Sequence, residues 1–300
     1  MKRSIIKQAS QAYTITLPIS WIRKNKLDRQ SEVDILVNEK SILVSTSNPN
    51  ESKKVSVNTQ DLQGRTIRNY ISSLYAKGID EVTLISEKDI GADIAAALNN
   101  VMGFALISQE ENKYIIKDLN AGSYQHLDEI FKRVFQMTIL FYESAIKDIF
   151  REEKENLESL KTRDAEVNKF CLYLQRAINK SAYSDAITSR VIFTYSFALE
   201  KIGDEVERLW RTNIKHAPKK SKDLKTLAEL SKEGLEKAYD VFYQFSPKSV
   251  EELYVIREKV REKSLKINLK DANANRMSRH IIKIIEDAAD LNHLGIMMKF

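Results

Sequence analysis

The apolar residues of this chain change their spacing at about Gly122, and that change constrains the fold more than any other feature. Beyond it, Leu127, Ile130, Phe131, Val134, Thr138, Phe141, Ala145 and Ile149 recur at helical spacing and line one face. Further helices are expected over roughly 153–182, 186–215, 222–246, 249–268 and 272–299, with Pro218 and Pro247 in two of the breaks. With only eight Gly and four Pro in 300 residues, little of the chain is left for irregular structure. Six helices with short connections predict one or two antiparallel bundles.

Before that point the period is two. SIIKQ, YTITL, VDILV and SILVS are β-branched runs within residues 1–47, and Pro18 followed by Ser20 opens a helical piece, WIRKNKL. A unit of this size buries its strands poorly alone, so a partner chain is expected. NPNESKK at 48–54 reads as a linker. Residues 54–120 then alternate strand and helix as a small α+β spacer domain: KVSV, a helix from about Arg65 to Lys77 closed by Gly78, EVTLI, a helix from about Ile94 to Asn100, and the pair FALIS and KYIIK.

The net charge of +6 lies in one place. Residues 1–30 hold Lys2, Arg3, Lys7, Arg23, Lys24, Lys26 and Arg29 against Asp28 alone, which is +6 for that segment, so the remaining 270 residues balance. A concentrated basic element fits a phosphate backbone. The single cysteine, Cys171 in FCLYL, excludes an internal disulfide and fits a reducing cytosol. No run of 18 apolar residues and no signal-peptide pattern occurs, so a cytoplasmic protein without membrane insertion is expected.

Two segments of the helical part repeat at an offset of 86 residues, FALEKIGDEVERL at 197–209 and KIIEDAADLNHLG at 283–295. Each carries acids four apart, Glu200 with Asp204 and Glu286 with Asp290. Such pairs lie one above the other on a helix, where they repel, and both oxygens can reach one hard cation. Alternatively each pair sits at a solvent edge, bridged to Lys201, Arg208 or Lys283. A ferritin-like di-iron site is excluded, since Glu-x-x-His does not occur on two helices. Neither a Gly-x-Ser-x-Gly elbow nor a phosphate-cradling Gly-rich loop is present, and the chain is not expected to be an enzyme.

Residues 1–47 resemble the AbrB/SpoVT family of swapped-hairpin DNA-binding domains, with Thr14, Thr16, Leu17, Pro18, Trp21, Leu27 and Val33 at matching places. Ser10 stands where that family usually has Gly, and Ser31-Glu32 where it has Gly-Asp. The resemblance implies an interleaved homodimer on double-stranded DNA, with Lys2, Arg3, Lys7, Arg23 and Lys24 facing the duplex. Residues 123–300 resemble PhoU, the phosphate-uptake regulator, through EKIGD at 200–204 and EDAAD at 286–290. That likeness implies two three-helix repeats, about 123–216 and 220–300. It also implies divalent or ferric metal ions on Glu200, Asp204, Glu286 and Asp290, with Asp164 of TRDAEVNKF as an additional ligand and Arg257 at its counterpart in the second repeat. The middle segment is similar to the region that archaeal fusions of these two domains carry between them. Together the likenesses imply a multidomain α+β transcriptional regulator of phosphate uptake. The alternative they leave is a PhoU-type adaptor that binds a phosphate ABC transporter or signalling kinase without touching DNA.

Overall fold

The computed structural model describes residues 2–8, 12–38, 41–46, 52–119, 124, 126–150, 157–180, 185–267 and 270–300. The protein is α+β, with a small N-terminal β region and a mostly helical C-terminal part, and it divides into two compact units, Met1–Glu51 and Ser52–Phe300.

In the first unit, β1 (Ile6–Gln8) pairs antiparallel with β2 (Ala12–Thr14), setting Lys7 opposite Tyr13. Ser10 lies outside the described residues. Pro18, already at φ −62°, leads into the one-turn helix α1 (Ile19–Lys24). After Lys26 at φ 54°, the Ser31 hydroxyl closes the next turn on Asp28 Oδ1 at 2.8 Å. β3 (Asp34–Asn38) and β4 (Ser41–Ser45) form a second antiparallel hairpin, which Thr46 ties to α1 through the Asn25 amide at 3.3 Å. Among the residues of this unit whose side chains are described, none is buried. Ile5, Tyr13 and Val37 remain 70, 66 and 69% exposed, and Ile6, Ile15, Ile35 and Ile42 are also open.

The second unit begins with a four-stranded sheet. β5 (Lys54–Asn58) and β6 (Glu81–Ile85) are parallel, joined through α2 (Arg65–Ala76). β7 (Phe104–Glu110) and β8 (Lys113–Asp118) form a hairpin added through β8, giving the order β5-β6-β8-β7. Gly78, at φ +88°, ends α2 in the left-handed conformation that favours glycine. α3 (Gly91–Leu98) starts before the expected Ile94, because Asp89 Oδ1 accepts the Gly91 amide at 2.9 Å and turns the chain early.

Six long helices follow: α4 (Leu127–Phe150), α5 (Leu157–Asn179), α6 (Ala186–His216), α7 (Lys222–Tyr243), α8 (Pro247–Lys266) and α9 (Ala272–Lys299). The expected apolar face of α4 is buried except at Ile130, which is partly covered. α8 starts at Pro247, ahead of the expected 249, because Ser246 and Ser249 close a reciprocal capping box around a proline in the first turn. Within α4–α6 and within α7–α9 every helix touches the other two, and the sets join through α6 on α9 and α4 on α7 around one continuous core. The packing is close enough that a Cβ on Gly234 would stand 2.0 Å from Ile285 Cδ1.

Sheet and helices share this unit through Arg176 of α5, whose side chain is 1% exposed. One guanidinium nitrogen donates to the Tyr75 and Ile79 carbonyls at 2.9 and 2.7 Å, and the other to Asp80 and Asp118 at 2.7 and 2.6 Å. The same plane lies over the Tyr75 and Phe104 rings at 4.9 and 5.1 Å. Among the described residues no helix is long and apolar enough to cross a membrane.

Candidate nucleic-acid interface and acidic pairs

The basic residues of the first unit fall into two groups. Lys2 and Arg3 precede β1 and Lys7 lies in it, while Arg23 and Lys24 occupy the last turn of α1, where positive charge complements the helix dipole. All five are exposed, and none forms a salt bridge among the described residues. Asp28, the acid of that segment, is engaged elsewhere: the Ser31 hydroxyl, then the Gln30 amide, hold its carboxyl below the usual range. The five positive charges therefore stay available to a polyanion. Among the described residues, the β1–β2 hairpin packs on neither α1 nor the β3–β4 hairpin through any substantial set of contacts.

In the helical part the two acidic pairs have different surroundings. Glu200 on α6 is mostly covered, and burial raises its carboxyl. Asp204 is bridged by Arg208 at 3.1 Å and Lys201 at 4.0 Å. Across from them on α5, Asp164 has Oδ2 accepting from Asn168 at 3.3 Å, and Oδ1 is buried without a hydrogen-bond partner. Burial, followed by the charges of Glu207 and Asp204, pushes the Asp164 carboxyl up to about 7. The charges of Asp204 and Glu200 thus act on Asp164 across the α5–α6 contact.

The second repeat is neutralised by arginine. Arg261 of α8 grips Glu286 with two parallel hydrogen bonds of 2.6 and 2.7 Å. Arg257, the residue expected at the Asp164 counterpart, instead pairs with Glu258 and lies over the Tyr254 ring. Lys283 pairs with Asp287 rather than with Glu286. Asp290 is exposed beside a shallow cavity that Phe197, Lys201 and Leu294 also line.

The donor types of the first repeat suit a hard cation, but their placement does not complete a site. Among the described residues no group of three or more His, Cys, Asp or Glu is positioned to hold a metal ion. In the second repeat Arg261 fills the coordinating edge of Glu286. Burial and neighbouring charge favour the protonated form of Asp164, and an arginine neutralises Glu286.

No family model matches this chain, and neither a curated protein nor a solved structure does. Arg176 and Arg261 were invisible to sequence reasoning, because each acquires its role from carboxylates far away in the chain. His280 is a third such residue: its Nδ1 meets Glu205 Oε2 at 2.7 Å across the antiparallel α6–α9 contact.

Proposed function

We propose that this protein is a dimeric, non-enzymatic DNA-binding regulator of phosphate uptake, in which the N-terminal unit contacts the duplex and the helical part receives the signal. The observation that carries the reading is the first unit's combination of exposed apolar strands with five exposed basic residues that form no salt bridge among the described residues. Burying an Ile, Val or Tyr side chain contributes about 1.5–3 kcal/mol. Seven such side chains left open are enough, after the cost of association, for a second copy to complete the core.

An interleaved pair of these units sets two basic surfaces on one duplex, and each strengthens the binding of the other. Lys2, Arg3, Lys7, Arg23 and Lys24 then neutralise phosphates in this reading, which fixes affinity without choosing a sequence. The phosphate role rests on the likeness of EKIGD and EDAAD to the PhoU repeats.

Fluorescence anisotropy of the full chain on a labelled duplex, across a KCl series, tests this. Changing all five basic residues to Ala is expected to lower affinity at low salt by about 100-fold or more and to flatten the salt slope by about four per chain. Unchanged binding would remove the first unit from DNA recognition and favour the adaptor that acts on a transporter or kinase.

A further inference from the structure

Charge in the second unit is unevenly distributed. The last four helices alternate in direction, so the ends of α6 and α8 meet the starts of α7 and α9. The Lys219 amide donates to Asp271 Oδ2 at 3.1 Å, tying the α6–α7 turn to the cap of α9. Asp223 and Thr226 of α7 share a cavity of about 210 Å³ with Lys263, Lys266 and Ile267 near the end of α8. Residues 215–225 and 259–279 hold twelve Lys and Arg against three acids, so this end carries +9 where the whole chain carries +6. The apparent neutrality of the chain beyond residue 30 conceals a basic pole and an acidic remainder.

Arg261 and Lys225 are paired with acids. Lys215, Lys219, Lys220 and Lys222 are exposed and form no salt bridge among the described residues. The same holds for Lys263, Lys266, Lys270, Arg276 and Arg279. Two helix starts and two helix ends meet here, so their dipoles largely cancel and the positive field comes from side chains. Holding so many like charges together costs stability that a polyanion returns.

The array is mostly lysine and offers point charges rather than planar forks, which suits phosphates without base contacts. Among the described residues its exposed large apolar side chains are Leu265 and Ile214, which do not make the continuous apolar face by which helices settle into a membrane surface. Four helix ends spaced about 10 Å apart cover about 20 Å, enough to reach several phosphates of a duplex that carries one charge per about 1.7 Å.

We infer that this basic end of the helical part is a second, sequence-independent surface for duplex phosphates. The inference rests on the reading of the chain as a DNA-binding protein and gives the helical part a direct contact with the ligand. Its test is a full-length variant with Lys219, Lys220, Lys263 and Lys266 changed to Ala, all exposed positions whose loss leaves the core intact. Anisotropy on specific and scrambled duplexes across a KCl series is expected to show the salt slope shallower by about three, with equal loss on both duplexes. A slope equal to that of the wild type overturns the inference, as does loss of binding to phosphatidylserine vesicles with the DNA slope unchanged. The five-residue N-terminal variant, measured alongside, separates the two surfaces. Loss in that variant alone sinks this inference and leaves the proposed function standing, whereas loss in the four-lysine variant alone does the reverse.

Discussion

Arg176→Met is expected to destabilise the second unit by about 3–5 kcal/mol, because it strands carboxylates and carbonyls that the guanidinium now satisfies. Four acceptors converge on two nitrogens, from the end of α2, from Asp80 before β6 and from Asp118 at the end of β8. Lysine cannot replace this fork, since a single ammonium does not span the same acceptors, so Arg176→Lys should lose most of the same amount. Lys180 also reaches Asp80 and retains part of its compensation. Urea unfolding of the full chain measures the effect. A midpoint for Arg176→Met within experimental error of the wild type would mean that the sheet and helices are not joined through this residue.

The second large effect is a gain. Asp164→Asn should stabilise the protein at pH 8 by about 2–4 kcal/mol and by less than half as much at pH 5. The Asp164 carboxyl is raised from 3.8 to about 7, by burial first and then by the charges of Glu207 and Asp204. Between these two values the folded chain holds a proton that the unfolded chain has released. Stability from this group is thus present at low pH and is lost as pH rises through about 7. A rise of about three units at 1.36 kcal/mol each sets an upper bound near 4 kcal/mol, which relaxation around the site lowers. Thermal unfolding at the two pH values decides the matter. If Asp164→Asn instead destabilises at pH 8, the charged carboxylate is held by something worth more than its repulsion, and a bound cation becomes the better account.

The helical part was legible because its signals are local. The apolar period fixed the buried face of α4, and Pro218 and Pro247 marked real breaks. Two boundaries moved where a short-range cap intervened, as Ser246 does at α8 and Asp89 does before α3, while α7 stops at Tyr243, short of the expected 246. The acidic repeat was also readable at 86-residue spacing. What neutralises each pair was not. Arg261 lies one helical turn beyond Arg257, and nothing in a periodic pattern says which of the two reaches across to α9. Arg176 stands in an ordinary amphipathic helix and shows its role only when Asp80 and Asp118 arrive from the sheet. The basic pole divides in the same way. PKKSK at 218–222 is visible as a run, but Lys263, Lys266 and Lys270 join it only because the helices alternate in direction. In the first unit, period-two alternation revealed apolar strand faces without saying what covers them.

That cover is the central claim, and sedimentation equilibrium of the full chain, alone and with a short labelled duplex, tests it most directly. The account predicts a species of twice the chain mass at micromolar concentration that binds one duplex as a pair, with Ile35→Lys plus Ile42→Lys shifting it towards a single chain. A wild-type protein that stays at one chain mass in both conditions would contradict it.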